Sequence, residues 1–131
     1  MRVLAVDHGT ARCGCAISDP TETIATPIET IEPATPEAVA ELARARGAEL
    51  VVVGLPLGLS GEEGLQAGIA REFTAELAAL LEVPVDTYDE RLTTRMAERT
   101  KADGGRAAPD SVAAAHLLDD YLRRRSGARG S

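Results

Sequence analysis

Residues 2–18 read Arg2-Val3-Leu4-Ala5-Val6-Asp7-His8-Gly9-Thr10-Ala11-Arg12-Cys13-Gly14-Cys15-Ala16-Ile17-Ser18. The apolar run Val3–Val6 predicts a buried first strand over Arg2–Asp7, and Arg12–Ser18 predicts a second. The tight turn His8-Gly9-Thr10-Ala11 joins them as a hairpin. Ile24–Ile31 predicts a weaker third strand, broken by Pro27, which is tolerated only at an edge or a bulge. The chain thus opens as a meander.

Alternation of helix and strand follows. Thr35-Pro36-Glu37 is a helix start with a capping hydroxyl, proline in the first position and an acid in the first turn. That helix runs to about Arg46 and stops at Gly47. Leu50-Val51-Val52-Val53 is a continuous apolar strand, the pattern of parallel pairing with both faces covered. After the glycine-rich loop Gly54–Gly61, the spacing of Leu65, Ile69, Phe73, Leu77 and Leu80 predicts an amphipathic helix. Val83–Tyr88 is the last strand, and helices from about Thr94 to Lys101 and from Asp110 to Arg124 finish the chain. The order predicts an α/β fold, a mixed five-stranded sheet flanked by helices on both faces. Residues 1–125 form a single domain, Ala102–Pro109 a mobile loop and 126–131 a disordered tail.

The 131 residues suffice for one core but not for two lobes. No stretch approaches the roughly 20 apolar residues of a membrane span, and the start is too short and too quickly acidic for a signal peptide. A cytoplasmic protein is expected. Cys13 and Cys15, two apart on one strand, have poor geometry for a disulfide and read as small buried hydrophobes of a reduced compartment. The net charge of −7 is unevenly spread. Residues 1–90 carry 16 acids against 5 arginines, whereas residues 91–131 carry 9 basic residues against 5 acids. The local positive field of Arg91, Arg95, Arg99, Lys101, Arg106 and Arg123-Arg124-Arg125 suits phosphate contact, although arginines that merely solvate helices would look the same. With Phe73, Tyr88 and Tyr121 the only aromatics, backbone or shape recognition is favoured over base stacking.

Three acids stand where an acid is awkward unless used. Asp7 is in phase with Val3 and Ala5 on a central strand, where a carboxylate is costly unless paired or metal-bound; the alternative is a turn cap at Gly9-Thr10. Glu90 closes the run after the last strand, and also reads as part of a solvated triplet, Asp89-Glu90-Arg91. Asp110 reads first as a helix N-cap. At about 100° per residue it also shares a stripe with Ala114, Leu117 and Tyr121, at the helix end that favours negative charge. Three such carboxylates gathered over one sheet bind hard cations through oxygen and suit phosphodiester hydrolysis.

The runs Val6-Asp7-His8-Gly9-Thr10-Ala11-Arg12-Cys13-Gly14, Val53-Gly54-Leu55-Pro56-Leu57, Asp89-Glu90-Arg91-Leu92-Thr93-Thr94 and Asp110-Ser111-Val112-Ala113-Ala114 occur in this order. Together they resemble the YqgF/RuvX family of bacterial ribonuclease-H-like proteins, over nearly the whole chain to about Arg124. The Asp-Glu-Arg-Leu-Thr-Thr run is the most specific part. The resemblance implies a ribonuclease-H-like fold and a metal-binding active site of Asp7, Glu90 and Asp110. Members of that family are regarded as nucleases maturing the 5′ end of pre-16S ribosomal RNA, or as Holliday-junction resolvases. His8 stands where relatives often carry an aromatic or aliphatic residue, and Gly58 where they often carry a polar one. His8 is a turn residue, or else a further ligand or acid–base group.

The expectation is a divalent-metal-dependent nuclease. Asp7, Glu90 and Asp110 would hold two Mg²⁺ or Mn²⁺ ions roughly 3.5–4 Å apart, with Arg91, Arg95 and Arg99 holding the substrate backbone. The substrate is the 5′ end of pre-16S rRNA or, alternatively, a four-way DNA junction, which would demand a homodimer with two sites. A non-catalytic nucleic-acid-binding module is a further alternative. An ATP-binding protein of the actin and sugar-kinase type shares the Asp-x-Gly-Thr hairpin but needs two lobes.

Overall fold

The structure is a computed structural model that describes residues 1–8, 12–55, 65–89 and 109–130. Five strands form one sheet: β1 Val3–His8, β2 Cys13–Ser18, β3 Ala25–Pro27, β4 Leu50–Leu55 and β5 Val85–Asp89. Their spatial order is β3-β2-β1-β4-β5. β1 pairs antiparallel with β2 and parallel with β4; β4 pairs parallel with β5, and β2 antiparallel with β3. The mixed five-stranded sheet is the architecture expected from sequence. Val3, Leu4, Ala5 and Val6 are wholly buried, as befits a central strand covered on both faces.

Helices α1 (Pro36–Ala45) and α2 (Leu65–Leu80) cover one face, and α3 (Pro109–Gly130) covers the other. The α1 start is as its sequence dictates: Thr35 Oγ1 accepts from the N–H of Ala38 at 3.2 Å. Gly47, at φ +69°, ends the helix in a conformation that costs glycine little. The first face packs Leu4, Val6, Cys13, Cys15, Val51 and Val53 against Val39, Ala40, Phe73 and Leu77. On the second, Val3, Ala5, Ala16, Leu50 and Val52 meet Ala114, Leu117, Leu118 and Leu122. The alanines let α3 approach the sheet closely.

Several boundaries differ from expectation. β1 takes in His8, expected in the turn, and β4 runs on through Gly54 and Leu55, expected to open the glycine-rich loop. The third strand spans only Ala25–Pro27, and pairing resumes as a single bridge between Cys13 and Ile31; the chain bulges after the proline. The last strand begins at Val85 because Pro84 has no N–H, though its carbonyl accepts from Val51 at 3.1 Å. Helix α3 continues to Gly130, through the 126–130 stretch expected to be disordered. Among the described side chains its last core residue is Leu122, so apolar periodicity gives no reason to extend it. Spanning that point are Asp119–Arg123 and Asp120–Arg124 pairs, at 3.1 and 3.0 Å, which favour helix modestly. The predicted helix at 94–101 and loop at 102–109 lie outside the described residues, except that Pro109, expected in the loop, is the first residue of α3. Among those described, no helix is long and apolar enough to cross a membrane.

Candidate active site

Side chains alternate across a sheet, so strand register decides what surrounds Asp7. Asp7 follows Val3 and Ala5 onto the α3 face, at the C-terminal end of β1, and is half-buried. Its register partner on β2 is Gly14 and its partner on β4 is Gly54. Two neighbours that would otherwise project side chains beside the carboxylate therefore project none. The next position in the same row is Tyr88 on β5. The carboxylate stands in a gap in the side-chain layer, at an end of the sheet where parallel strands finish. Carboxylate oxygens on such strand ends are donors of the kind that hard cations take.

Asp110 lies in the first turn of α3, where the helix dipole favours negative charge. Only its backbone position is described. The next residue, Ser111, is 2 % exposed. Its hydroxyl donates to the carbonyl of Ile28 at 2.8 Å and accepts from the N–H of Cys15 at 3.5 Å, long for such a bond. Since Cys15 adjoins Gly14, and Gly14 lies opposite Asp7, the start of α3 is held at the Asp7 end of the sheet and on the Asp7 face. Two of the three predicted acids are thereby brought to one locality. Glu90 immediately follows the last residue of β5 and lies outside the described residues, as do Arg91, Arg95 and Arg99. Among the described residues no three His, Cys, Asp or Glu side chains are grouped to hold a metal ion.

His8 goes the other way. It leaves β1 on the α1/α2 face, and its ring packs on Phe73 with centroids 4.5 Å apart. Burial lowers its pKa below the ordinary imidazole value, and the charge of Asp7 only partly offsets this. An imidazole on the opposite face of the strand is a packing group, not a co-ligand of Asp7. Cys13 and Cys15 are thiols, not bridged to each other, buried on that same face. Burial, followed by Cys13, Glu29 and Asp7, pushes the Cys15 thiol up to about 12. It is an inert hydrophobe, as expected from sequence.

Sequence reasoning did not find the paired glycines or the role of Ser111. The glycines were legible in principle. Antiparallel pairing about a tight hairpin places Asp7 opposite Gly14 once the centre of the turn is known. Ser111 was not, because its partners are 96 and 83 residues away.

A family model described as RuvX: Holliday junction resolvase matches residues 1–124. The chain is 43% identical over 133 residues to a Chloroflexus aurantiacus protein named "Putative pre-16S rRNA nuclease", covering 94% of this chain and 87% of that one. A Chloroflexus aggregans protein of the same name is 44% identical, with 94% of each chain covered. Among solved structures, Thermus thermophilus RuvC in complex with a Holliday junction substrate aligns with a TM-score of 0.64 at 20% identity, covering 97% of this chain and 96% of that one. At that identity the likeness is one of fold, and the fold is the ribonuclease-H-like one of RuvC-type resolvases.

Proposed function

We propose that this chain, which belongs to the RuvX Holliday junction resolvase family, is a divalent-metal-dependent endonuclease that trims the 5′ end of pre-16S rRNA in the cytoplasm. That it is a nuclease follows from the family and from the named relatives. The observation that carries the site assignment is the row Gly14–Asp7–Gly54, a carboxylate cleared of side chains on both flanks beneath the start of α3. An acid placed only to cap a turn has no need of that clearing.

Asp7, Glu90 and Asp110 hold Mg²⁺ or Mn²⁺ in this reading; oxygen donors on rigid element ends are what hard cations take. When bound, the metal supplies an activated water and neutralises charge on the departing oxygen. The remaining work belongs to the chain. Asp7, fixed by two flanking strands, and position 110, fixed by Ser111, set the ligand spacing. The dipole of α3 favours anionic groups at its start. Arg91, Arg95 and Arg99 bind backbone phosphates, and with few aromatics the enzyme reads shape and charge.

A second reading is a four-way DNA junction as substrate, favoured by the family description and by the RuvC-like fold. It requires a homodimer presenting two sites to one junction. Cleavage of a labelled precursor-rRNA 5′ segment and a labelled four-way junction, in Mg²⁺ and in Mn²⁺, separates the readings. The rRNA segment should be cut by the wild-type chain and not by Asp7→Asn. Cutting of the junction alone would transfer the assignment to the resolvase. Binding of either without cutting, in both metals, would make the chain a non-catalytic module.

A further inference from the structure

The chain that runs beside β2 after β3 contains one residue too many. Ala16 lies opposite Pro27 and Cys13 opposite Ile31, so three steps along β2 meet four along its neighbour. At Cys13 the ladder closes again, with reciprocal bonds to Ile31 at 2.8 Å. Within the bulge the N–H of Ile28 donates to the carbonyl of Cys15 at 2.9 Å. The return bond is diverted. The N–H of Cys15 points to the Ser111 hydroxyl, which passes its proton to the carbonyl of Ile28. Thr30 Oγ1 lies 3.3 Å from the same oxygen, and it must be the donor there because a serine has one proton to give. A side chain from α3 thus completes a backbone ladder that the bulge has opened.

We propose that Ser111 is a positioning residue for the carboxylate site, its hydroxyl fixing where α3 begins relative to the end of β1. The inference rests on reading Asp7 and Asp110 as metal-holding acids. Ser111 is one residue from position 110, and Cys15 is one residue from Gly14, the register partner of Asp7. The bonded pair therefore sits one step behind each carboxylate position and sets the distance between them. Metal sites tolerate ligand displacements of only about 0.2 Å, and loss of a group that orients ligands costs roughly 10–100-fold in metal affinity or activity. Ser111→Ala would leave the N–H of Cys15 and the carbonyl of Ile28 to find each other or water, and either requires the strand or the helix start to move.

Ser18 supplies the control. It is also 2 % exposed, and its hydroxyl accepts from the N–H of Val3 at 2.8 Å. It stands four residues along β2 from Gly14, roughly 13 Å from the carboxylate end. Mn²⁺ affinity by electron paramagnetic resonance, thermal midpoint, kcat and KM would be measured for wild type, Ser111→Ala, Ser111→Thr, Ser18→Ala and Asp7→Asn. Ser111→Ala should weaken Mn²⁺ binding by about 10–100-fold and lower kcat with little change in KM. Ser18→Ala should lower the thermal midpoint comparably and leave Mn²⁺ affinity alone. Ser111→Thr, which keeps the hydroxyl, should recover affinity; if it does not fold, the two alanine variants still decide. Equal effects of both on Mn²⁺ binding, or none from Ser111→Ala, would overturn the inference while loss of binding in Asp7→Asn left the carboxylate reading standing. Undiminished Mn²⁺ binding in Asp7→Asn would remove both.

Discussion

Asp7 and His8 are neighbours on β1, yet they leave the strand on opposite faces and do opposite things. On the α1/α2 face the apolar layer continues to the strand end. Leu4 and Val6 are wholly buried, and His8 closes the row by packing on Phe73. On the α3 face the layer stops one row short: Val3 and Ala5 are wholly buried, and the next row is a carboxylate between two glycines. The first face spends every position on packing. The second gives its outer row to a carboxylate and two glycines, and with it the stability that packed side chains there would have contributed.

That contrast breaks first at Asp7. Asp7→Asn should lose cleavage by at least about 100-fold, the top of the range that supporting residues command. Its thermal midpoint should hold or rise, because residues placed for function are commonly not optimal for stability. Leu77→Ala, on the other face, should do the reverse. Leu77 is wholly buried in α2, and its truncation should cost about 2–5 kcal/mol in urea unfolding. Cleavage per folded molecule should stay at the wild-type rate. A destabilised Asp7→Asn, or a fully stable Leu77→Ala that cuts poorly, would mean that the faces are not divided in this way.

The same division explains what could be read from the sequence. The sheet order follows from runs such as Val3–Val6 and Leu50–Val53, and the start of α1 from Thr35-Pro36-Glu37, because these are local patterns with local causes. Asp7 was legible as an oddity, since an acid in phase with Val3 and Ala5 contradicts its strand. The surroundings of Asp7 were not legible, because strand register and the bulge after Pro27 depend on long-range pairing. His8 shows the limit most plainly. One residue decides its face, and a turn residue, a ligand and a packing group all fit the string Asp7-His8-Gly9.

His8→Phe and His8→Ala test that reading with a smaller effect. Phenylalanine keeps a ring against Phe73, so its stability and cleavage should stay near wild type. Alanine removes the ring pair and should cost about 1 kcal/mol in urea unfolding, with cleavage following the folded fraction. An abrupt loss of cleavage in His8→Phe, at full stability, would place imidazole chemistry at the site and undo the assignment of faces.

The smallest effect belongs to Asp19, and it shows what an aspartate placed for a turn looks like. Asp19 follows the far end of β2 and takes bonds from the N–H groups of Thr21, Thr23 and Ile24 and from the hydroxyl of Thr21. These donors, the Ile24 N–H and the Thr21 hydroxyl foremost, hold its carboxyl well below the usual aspartate range. A folded-state pKa below the unfolded one gives stability that is complete above the ordinary value of about 3.9. It drains away as pH falls from there through the folded value. Asp19→Asn should therefore melt somewhat below wild type at pH 7, and the gap should shrink steadily as melts are repeated at pH 4, 3 and 2. The residue is not buried and its bonds are open to solvent, so the gap should be small. Asp7→Asn at pH 7 should show no such loss. If it melts low in the manner of Asp19→Asn, and its gap closes in acid, Asp7 is a turn cap as well, and the gap between Gly14 and Gly54 loses its chemical meaning.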